Sequence, residues 1–451
     1  MSGRILIAGT RSGCGKTTVV CALLAALKSR RVSLAAFKCG PDYIDPMFHR
    51  KAMGIPSYNL DPYFCGGEKL RAMLAAKKSA LCVIEGAMGY YDGVGKNGDY
   101  SAYTVAAETK TPVILTIDVK GMYASAGAEL SGFLKYRENS GIRGVIFNNA
   151  SQAIYGGLSE IAREFRVESL GFLPREASVG IKSRNLGLVA ANELDDIMQK
   201  IDALGELAKR FLELDRIQSI ADSAPELAHT RRKLKPVGKV RLAAARDAAF
   251  CFIYQENIDM LSELGCEIVY FSPVFDRHLP AGIDGLYLPG GYPELYLSQL
   301  ESNASMREEI RAAVLDGMPT VAECGGFMYL QSSIDGCSAA GAINGSAFKT
   351  DKLRRFGYVE LTSGNDNMLC SKGGIMRAHE FHYYDSTDNG GGYTAKKAGS
   401  GAEYACVHTS KSLYAGFPHI YFPANEEAAI RFARQAAEYA KLRKKRESLN
   451  S

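Results

Sequence analysis

The sequence lacks the features that mark membrane-spanning and secreted proteins. No apolar run approaches the roughly 20 residues that a bilayer-spanning helix needs. The first residues, Met1-Ser-Gly-Arg-Ile-Leu-Ile, lead directly into an apolar run of strand type, so we expect no signal peptide. None of the eleven cysteines belongs to a Cys-x-x-Cys pair, which argues against a zinc ribbon and, in so large a chain, against a disulfide framework. We therefore expect a protein of the reducing cytoplasm.

The chain also lacks a strong excess of charge of either sign. Its 451 residues carry a formal net charge of only +5, and 23% of them are charged. The most basic stretch, Lys441-Leu-Arg-Lys-Lys-Arg446, is short and is typical of a solvated helix end. We predict neither a nucleic-acid partner nor a membrane partner, and the sequence leaves a homodimer open.

Length and pattern together predict two α/β domains, each a doubly wound parallel sheet. Such a length exceeds one ordinary core, and short β-branched runs alternate with amphipathic stretches along most of the chain. The predicted divisions are a first domain at 1–200, a helix and charged linker at 201–239, a second domain at 240–428, and a C-terminal helix with a basic tail at 429–451.

The strand signals are short apolar runs that alternate with helical patterns. In the first domain they are Arg4–Ala8, Leu34–Phe37, Leu81–Ile84, Val113–Ile117, Val145–Phe147 and Ser169–Phe172. In the second domain they are Arg241–Ala245, Glu267–Phe271, Gly285–Leu288 and Thr320–Ala322.

A phosphate-binding loop follows the first predicted strand. The segment Gly9-Thr-Arg-Ser-Gly-Cys-Gly15-Lys16-Thr17-Thr18 stands between a strand and a helix, which is the context that such a loop needs. Gly13 and Gly15 let backbone amides curl around phosphate. The strict spacing has glycine where Thr10 stands, so this is a variant loop.

The side chains at the end of this loop predict ATP and Mg²⁺ as its ligands. Lys16 would reach the terminal phosphates, and the Thr17 hydroxyl would ligate Mg²⁺, with Thr18 completing the nucleotide-binding text. Variant loops of the partitioning-ATPase type carry an extra lysine five residues before the invariant one. Arg11 occupies that position here, which weakens a partitioning reading without excluding it.

The second predicted strand ends in a cluster of charged residues, Phe37-Lys38-Cys-Gly-Pro-Asp42-Tyr43-Ile-Asp45-Pro. Lys38 could pair with a terminal phosphate. Asp42 and Asp45 could hold Mg²⁺ or orient a substrate, with Tyr43 beside them. The alternative is a proline-bounded turn with solvated carboxylates. Because ligand sites in open α/β sheets form at the carboxyl ends of strands, we favour a role in binding.

Two later strands end in the same way. Glu85 follows the third predicted strand and resembles the metal-binding acid of nucleotide-binding proteins, and Asp92 lies in the glycine-rich text after it as a substrate-contacting candidate. Asn148 ends a further strand and could contact adenine, although an asparagine in a loop is nearly as good an interpretation.

A second candidate site centres on one cysteine. In Val321-Ala-Glu-Cys324-Gly-Gly-Phe-Met-Tyr-Leu330 a short apolar run is followed by glycines, as in a strand–turn–helix elbow that holds a nucleophile. We expect the helix start to lower the pKa of the Cys324 thiol. His419, at the end of another strand, would act as its base. Backbone amides at Gly290, Gly291 and Gly325 are the oxyanion-hole candidates.

A third, orienting acid is missing from the expected place. Tyr421 stands two residues after His419, so a Cys–His dyad is the favoured arrangement. Glu323 and Glu380 are the candidates for a hidden third member. The text His379-Glu-Phe-His382 lacks the spacing of a zinc helix and is interpreted as a substrate-contacting or structural strand.

These motifs together resemble the cobyrinic acid a,c-diamide synthase family over nearly the whole chain. The matching segments are Ser12–Thr18, Gly40–His49, Asn59–Asp61, Glu85–Gly89, Tyr91–Gly93, Ala245–Phe250, Phe271–Pro273, Gly290–Glu294, Ala322–Leu330 and His379–Tyr383. The resemblance implies an amidoligase domain similar to dethiobiotin synthetase and a class I glutaminase domain of the cobyric-acid-synthase type, which lacks the acid of the usual triad. The sequence departs from the family's usual text at Arg184-Asn185 and at Gly416-Phe-Pro-His419.

The resemblance also implies an activity. The family uses ATP, Mg²⁺ and glutamine to amidate the a- and c-acetate carboxylates of cobyrinate through an acyl phosphate, in corrinoid biosynthesis. Hydrogenobyrinate or nickel-sirohydrochlorin are alternative substrates within the same family. The alternative from another class is a partitioning-type ATPase switch that binds a protein partner, and both Arg11 and the intact Cys324–His419 pair argue against it.

Overall fold

The computed structural model describes residues 3–77, 80–175, 191–228 and 233–450. The chain forms two compact units, Met1–Arg231 and Arg232–Ser451. In the described ranges no helix is both long enough and apolar enough to cross a membrane. The family departure at Arg184-Asn185 lies outside the described residues.

The first unit is built on one parallel sheet. Its strands are Arg4–Gly9 (β1), Leu34–Cys39 (β2), Ser57–Leu60 (β3), Leu81–Glu85 (β4), Val113–Asp118 (β5), Ile142–Ala150 (β6) and Glu168–Pro174 (β7). They lie in the order β3-β2-β4-β1-β5-β6-β7, and all neighbouring pairs are parallel. The six strands predicted from apolar runs are confirmed, whereas β3, with the text Ser-Tyr-Asn-Leu, has no such run and was not predicted.

Helices cover this sheet. They are Lys16–Ser29 (α1), Ile44–Met53 (α2), Gly67–Ala75 (α3), Ala102–Thr109 (α4), Ser125–Lys135 (α5), Gln152–Glu164 (α6), Ala191–Phe211 (α7) and Leu214–Asp222 (α8). The helix α1 follows the phosphate loop and buries Val19, Leu23 and Leu27 against the sheet. The loop is therefore fixed at the carboxyl end of β1 by a helix whose apolar side is in the core.

The helices α7 and α8 correct the predicted linker at 201–239. Ile201, Leu204, Ala208 and Ile217 lie in the same apolar core as α1. The predicted helix at the start of this range is confirmed, and its apolar residues at helical spacing face the core. Residues 201–222 thus belong to the first unit.

The second unit contains more strands than the sequence predicted. They are Val240–Ala245 (β8), Cys266–Phe271 (β9), Gly285–Leu288 (β10), Thr320–Glu323 (β11), Ser333–Ile334 (β12), Cys337–Ser338 (β13), Ser346–Lys349 (β14), Arg355–Ser363 (β15), Ile375–His382 (β16), Tyr384–Ser386 (β17), Tyr393–Lys397 (β18), Glu403–Cys406 (β19), His408–Thr409 (β20), Leu413–Gly416 (β21) and His419–Ile420 (β22). Its helices are Gln255–Glu263 (α9), Leu297–Ser302 (α10), Ala304–Leu315 (α11), Gly325–Leu330 (α12) and Glu426–Asn450 (α13), with 3-10 turns at Pro293–Leu295 and Phe422–Ala424.

These strands form three sheets. A six-stranded sheet has the order β20-β21-β11-β10-β8-β9 and is parallel except for β20. It is the predicted α/β sheet, and its four predicted strands are confirmed. The sequence did not predict the five-stranded antiparallel sheet β19-β18-β15-β16-β22 or the four-stranded sheet β13-β12-β14-β17.

The core of the second unit joins the parallel sheet to the antiparallel one. Leu242 and Val321 of the parallel sheet lie in one apolar cluster with Leu361 and Met376 of the antiparallel sheet and Phe432 of α13. The helix α13 is thus part of this unit, and it begins at Glu426 rather than at the predicted 429. This packing holds the strand ends that carry Cys324 and His419.

Candidate active sites in the two units

The phosphate loop of the first unit is shaped by its glycines. Gly13 and Gly15 have φ angles of 76° and 93°, which side-chain-bearing residues rarely adopt. A Cβ on Gly15 would lie 2.0 Å from Nδ2 of Asn148. That amide donates a hydrogen bond to the carbonyl oxygen of Cys14 at 3.0 Å. Asn148 therefore supports the loop in this structure, and its predicted contact with adenine stays a prediction.

The lysine and threonine of the loop lie at its inner end. Nζ of Lys16 donates to the carbonyl oxygen of Arg11 at 3.0 Å, and burial lowers the pKa of Lys16. The Thr17 hydroxyl donates to Oε1 of Glu85 at 2.6 Å. The guanidinium of Arg11, at the position of the extra lysine of partitioning ATPases, forms an ion pair with Asp118 at 3.2 Å. Thr18 follows in α1.

A buried lysine near the end of β2 lies between two carboxylates, one at the end of β4 and one in the first turn of α2. Nζ of Lys38 is 2.7 Å from Oε1 of Glu85 and 2.5 Å from Oδ2 of Asp45. Burial alone would lower the pKa of Lys38, but the two carboxylates raise it well above its usual value. Burial acts against the ionised form of Asp45 as well, and Lys38 reverses this and lowers its pKa. Lys38 thus has carboxylate partners in this structure, and its pairing with a phosphate stays a prediction.

Two acids of this cluster have pKa values above those of ordinary carboxyl groups. Burial raises the pKa of Glu85 to about 7 despite Lys38, and it raises the pKa of Asp42 to about 6 with the help of Asp45. The carboxylate of Asp42 accepts the backbone N–H groups of Ile44 and Asp45 at the start of α2. Asp42 therefore accepts the first two backbone N–H groups of this helix through one of its oxygens.

The residues at this site fit a magnesium ion bound together with phosphate. The oxygen Oε2 of Glu85 is buried without a hydrogen-bond partner, and the Thr17 hydroxyl is beside the same carboxyl group. In the described parts of the chain no three His, Cys, Asp or Glu side chains converge closely enough to hold a metal ion. Mg²⁺ does not need such a cage, since it keeps several waters and takes substrate phosphate oxygens as ligands.

Two predicted substrate residues also lie in the first unit. Tyr43 is buried at the start of α2. Oδ2 of Asp92 accepts the backbone N–H of Gly89 at 2.9 Å, which fixes the glycine-rich turn after β4. The structure thus gives Asp92 a turn-forming contact, and its contact with substrate stays a prediction.

A pocket that the sequence did not predict opens beyond β5, β6 and β7. It has a volume of about 640 Å³, and its lining includes the apolar residues Val119, Met122, Ile154, Phe172 and Phe211 together with the polar residues Asn149 and Arg175. Its lining segments follow the carboxyl ends of parallel strands, where α/β sheets bind ligands. No local motif marks it, because its walls come from segments far apart in the chain.

The predicted nucleophile of the second unit lies in a strained elbow. Cys324 follows β11 with a φ of 47° and a ψ of −105°, an unusual conformation for a residue with a side chain. Its backbone N–H donates to the carbonyl oxygen of Gly416 at 2.8 Å. A Cβ on Gly326 would lie 2.0 Å from the carbonyl oxygen of Leu288, so only glycine fits there. The glycines after Cys324 thus allow α12 to start against the sheet.

The predicted base reaches the same place from the antiparallel sheet. The strand β22 pairs with β16, which sets His419 opposite His379 with ring centroids 5.8 Å apart. A Cβ on Gly290 would lie 2.4 Å from Cε1 of His419 and 3.3 Å from Cβ of Cys324. The predicted nucleophile and base therefore converge on one glycine.

The other oxyanion candidates lie beside this glycine. A Cβ on Gly325 would lie 3.1 Å from the backbone nitrogen of Gly291 and 2.8 Å from Cδ of Pro293. The backbone N–H of Gly325 is hydrogen-bonded toward the Cys324 thiol. The structure thus brings Gly290, Gly291 and Gly325 together around Cys324, and their binding of an oxyanion stays a prediction.

The expectation that the start of α12 lowers the pKa of the Cys324 thiol is wrong for this structure. Burial, followed by the nearby charge of Glu294, raises the pKa of Cys324, and the N–H of Gly325 only partly opposes this. Burial, together with the neighbouring His379 and His382, lowers the pKa of His419 well below its usual value. Both groups are therefore neutral near pH 7, so a proton must pass from thiol to imidazole when substrate is attacked.

A buried carboxyl group lies behind the histidine. Oε2 of Glu323 is 3.9 Å from Nδ1 of His419 and accepts a hydrogen bond from the Tyr287 hydroxyl at 3.0 Å. Oε1 of Glu323 accepts the backbone N–H of Ile420 at 2.9 Å. Burial raises the pKa of Glu323 to about 8. Of the two candidates for a hidden third member, Glu323 is thus the one whose carboxyl group lies near His419, although it neighbours the nucleophile and not the histidine in sequence.

The other candidate acid has different partners. Glu380 accepts a hydrogen bond from the Tyr404 hydroxyl, and its Oε1 is 3.7 Å from Arg355 and 3.9 Å from Nε2 of His382. The ring of His382 stacks on Phe417 with centroids 4.0 Å apart. The segment His379–His382 thus lies in the strand β16, which confirms the predicted strand, and its contact with substrate stays a prediction.

Comparison with known proteins matches both units to described domains. Residues 5–189 match the CobQ/CobB/MinD/ParA nucleotide binding domain, and residues 241–427 match the CobB/CobQ-like glutamine amidotransferase domain. These matches agree with a nucleotide site at the loop of the first unit and with the cysteine site of the second.

Curated relatives match the chain over nearly its whole length. A cobyrinate a,c-diamide synthase of Caldanaerobacter subterraneus is 34% identical and covers 97% of this chain and 99% of its own. The enzyme of that name from Clostridium acetobutylicum is 36% identical, covering 93% and 97%, and that from Thermoplasma volcanium is 36% identical, covering 98% of each chain. The chain therefore belongs to the cobyrinate a,c-diamide synthase family of glutamine-hydrolysing ligases, with the nucleotide-binding domain in its first unit and the glutamine amidotransferase domain in its second.

Proposed function

We propose that this protein amidates the a- and c-acetate carboxylates of cobyrinate, with ATP as the energy source and glutamine as the nitrogen source. The observation that carries the proposal is the convergence of Cys324 and His419 on Gly290, in a chain that also holds a phosphate loop. A thiol–imidazole pair beside backbone amides suits amide hydrolysis, and a phosphate loop suits carboxylate activation. Relatives named for this reaction support the choice of substrate.

The second unit would release ammonia from glutamine. The Cys324 thiol gives its proton to His419 as the sulfur attacks the carboxamide carbon. The carbonyl oxygen then becomes an oxyanion beside the amides of Gly291 and Gly325, which stabilise its charge. Collapse of this intermediate gives a thioester and ammonia, and His419 returns the proton to the leaving nitrogen. Water then hydrolyses the thioester and regenerates the thiol.

The first unit would activate the carboxylate of the macrocycle. A carboxylate oxygen is a poor leaving group, so the substrate takes the γ-phosphoryl group of ATP and becomes an acyl phosphate, which ammonia converts to the amide with release of phosphate. Lys16 and the loop amides of Gly13 and Gly15 would hold the phosphates. Mg²⁺, held by Thr17, Asp42 and Glu85, would neutralise charge on the transferring phosphoryl group.

The remaining polar residues of the first unit would bind the two substrates of this step. Asp42, Tyr43, Asp45 and Asp92 lie on segments that follow the carboxyl ends of β2 and β4 and would face the macrocycle and its carboxylates. Lys38, near the end of β2, would pair with a terminal phosphate. The pocket beyond β5, β6 and β7 has the size and apolar walls that suit the adenine ring. We also propose a cytoplasmic setting, which the scattered cysteines, none of them in a Cys-x-x-Cys pair, support.

The assignment of the nitrogen source is tested with Cys324→Ser. We expect this variant to lose glutamine-dependent synthesis and to keep synthesis with a high concentration of ammonia, because the nucleophile and the phosphate loop lie in different units. Retained hydrolysis of glutamine would contradict the role of Cys324. Loss of the ammonia-dependent reaction as well would contradict the separation of the two steps.

The identity of the macrocycle is tested by weighing products. The protein is incubated with ATP, Mg²⁺, glutamine and, in separate reactions, cobyrinate, hydrogenobyrinate or nickel-sirohydrochlorin. We expect cobyrinate to gain two amide groups at the highest kcat/KM. Preferential amidation of either other macrocycle would change the substrate while leaving the mechanism in place, and absence of product from all three would contradict the proposed function.

A further inference from the structure

We propose that Glu323 is a positioning residue for glutamine hydrolysis, which orients the imidazole of His419 and so takes the place of the acid that is missing two residues after the histidine. This inference rests on the proposed function of Cys324 and His419 and extends it. It assigns a role to a residue whose neighbour in sequence is the nucleophile itself.

The first support is the set of contacts that Glu323 makes. One carboxyl oxygen accepts the backbone N–H of Ile420 at 2.9 Å, and the other lies 3.9 Å from Nδ1 of His419. The side chain therefore contacts both the ring and the backbone of the segment that carries it. Glu323 and His419 are both buried, so water cannot easily replace this interaction.

The second support is that Glu323 is itself held in place. The Tyr287 hydroxyl donates to Oε2 of Glu323 at 3.0 Å, and Asn257 lies next along this chain, with Nδ2 3.4 Å from the Tyr287 hydroxyl. Asn257 also donates to the carbonyl oxygen of Ile420 at 2.8 Å. Residues from β10, β11 and α9 thus hold the short strand β22 from one side.

Each nitrogen of the ring has its own role in this proposal. Nδ1 of His419 lies 3.9 Å from Oε2 of Glu323, so under this proposal Nε2 accepts the proton of Cys324. An imidazole that takes up a proton at Nε2 carries N–H groups at both nitrogens, and the N–H at Nδ1 then finds an acceptor in the nearby carboxyl group. Shortening of the 3.9 Å distance in the complex with glutamine would complete this hydrogen bond.

The alternative acid is poorly placed for this role. Glu380 is engaged by Tyr404, Arg355 and His382, and the structure gives it no contact with His419. Replacing Glu380 by glutamine would change its contacts with Tyr404, Arg355 and His382 but would leave the surroundings of His419 as they are. Glu380→Gln is therefore a matched control, since it replaces a second fully buried glutamate of the same unit.

The protonation state of Glu323 supplies a signature that a purely structural role would not show. Burial raises its pKa to about 8, so the group is mostly neutral at pH 7 and ionised at pH 9. The titratable groups around it are Tyr287, Tyr414, Cys324 and His419. A carboxylate stabilises a protonated imidazole better than a neutral carboxyl group does, so the glutaminase rate should rise as Glu323 ionises.

The test measures kcat and KM for glutamine hydrolysis from pH 6 to pH 9.5, and ammonia-dependent synthesis. It compares the unaltered chain with Glu323→Gln, Glu380→Gln, His419→Ala and Cys324→Ser. We expect Glu323→Gln to lower kcat about 10- to 100-fold, with KM changed less than about threefold and ammonia-dependent synthesis unchanged. His419→Ala should lose about 10²–10⁴-fold, the usual range for general-base assistance. The rise in rate near pH 8 should be absent from Glu323→Gln, and Glu380→Gln should stay within about threefold of the unaltered protein.

Three results would overturn the inference. They are a kcat of Glu323→Gln within twofold of the unaltered protein, an equal loss of ammonia-dependent synthesis in that variant, or a larger loss in Glu380→Gln. Retained glutamine hydrolysis in His419→Ala or Cys324→Ser would instead refute the proposed function. If Glu323→Gln does not fold, Tyr287→Phe decides, because it removes only the hydroxyl that holds Oε2. We expect Tyr287→Phe to lower kcat about three- to tenfold, and an unchanged kcat would refute the positioning role.

Discussion

The two units bury their reactive side chains by opposite electrostatic means. In the first unit Lys38 stays charged although it is almost fully buried, because Asp45 and Glu85 lie within 2.7 Å of its amine. In the second unit the buried Cys324 and His419 have pKa values shifted so that each is neutral near pH 7. The lysine of the first unit thus stays charged because it is paired, whereas the thiol and the imidazole of the second unit stay neutral.

The difference follows from the chemistry that each site is proposed to perform. Binding and transfer of a phosphoryl group require fixed charges, since the substrate is an anion throughout. Attack by a thiol requires groups that exchange a proton during the reaction, and in this site both groups start uncharged. Four substitutions or conditions test this comparison.

The largest effect is expected when the charge pairing of the first unit is broken. Lys38→Met leaves two buried carboxyl groups without their cation, which typically lowers the free energy of unfolding by about 3–5 kcal/mol. The measurement is denaturant unfolding of the full chain, with hydrogen exchange in β2 and β4 to identify the unit that unfolds. Lys200→Met is the control, because Lys200 forms an exposed ion pair with Asp196 and should cost less than about 1 kcal/mol. A loss in Lys38→Met as small as in the control would show that the pairing contributes little.

The next effect concerns the cation of the phosphate loop. Lys16→Ala should lower synthesis about 10²–10³-fold with glutamine and with ammonia alike, because carboxylate activation precedes both reactions. Glutamine hydrolysis, assayed as glutamate release, should continue in this variant. A normal rate with ammonia would refute the role of Lys16.

A smaller effect is expected from crowding the second site. In Gly290→Ala the new methyl group would meet the ring of His419 at 2.4 Å, so the imidazole must move. A displacement of about 1 Å in a catalytic group can cost about 10²-fold, and we expect this loss in glutamine hydrolysis alone. Gly399→Ala is the matched control, since no atom lies within 4 Å of a Cβ built there. Unchanged hydrolysis in Gly290→Ala would show that His419 is free to move without loss.

The smallest effect is a dependence of stability on pH. The pKa of Glu323 is about 8 in the folded chain and near 4.5 when unfolded, so its contribution is fully present below about pH 4.5 and is lost as the pH rises toward 8. Between pH 6 and pH 7.5 one such group lowers the free energy of unfolding by about 1.4 kcal/mol per pH unit. The measurement is the free energy of unfolding of the second unit at several pH values, in the unaltered protein and in Glu323→Gln. We expect its decrease with pH to be smaller in the variant by this amount. An equal decrease in both proteins would contradict a neutral, buried Glu323.

The sequence predicted those strands that consist of consecutive apolar residues. The strands β1, β2, β4, β5, β6 and β7 of the first unit are apolar runs and were predicted, whereas β3 has two polar residues among its four and was not. The antiparallel strands β15, β16, β18 and β19 of the second unit alternate exposed and buried residues, which gives a weaker signal than a continuous run. The helix predicted at the start of 201–239 is confirmed as the end of α7, and its packing in the core of the first unit could not be predicted from the local sequence.

The sequence by itself determined where reactive residues occur, because glycines, a lysine or a cysteine at the end of a strand satisfy local demands of backbone shape and chemistry. The tertiary structure alone decided the partners of those residues. Lys38 reaches Glu85 across 47 positions of the chain, Asn148 reaches Cys14 across 134, and Glu323 reaches Ile420 across 97. Such pairs form because strand order and helix packing bring distant strand ends to one place, and it is burial among these partners that sets which groups are charged.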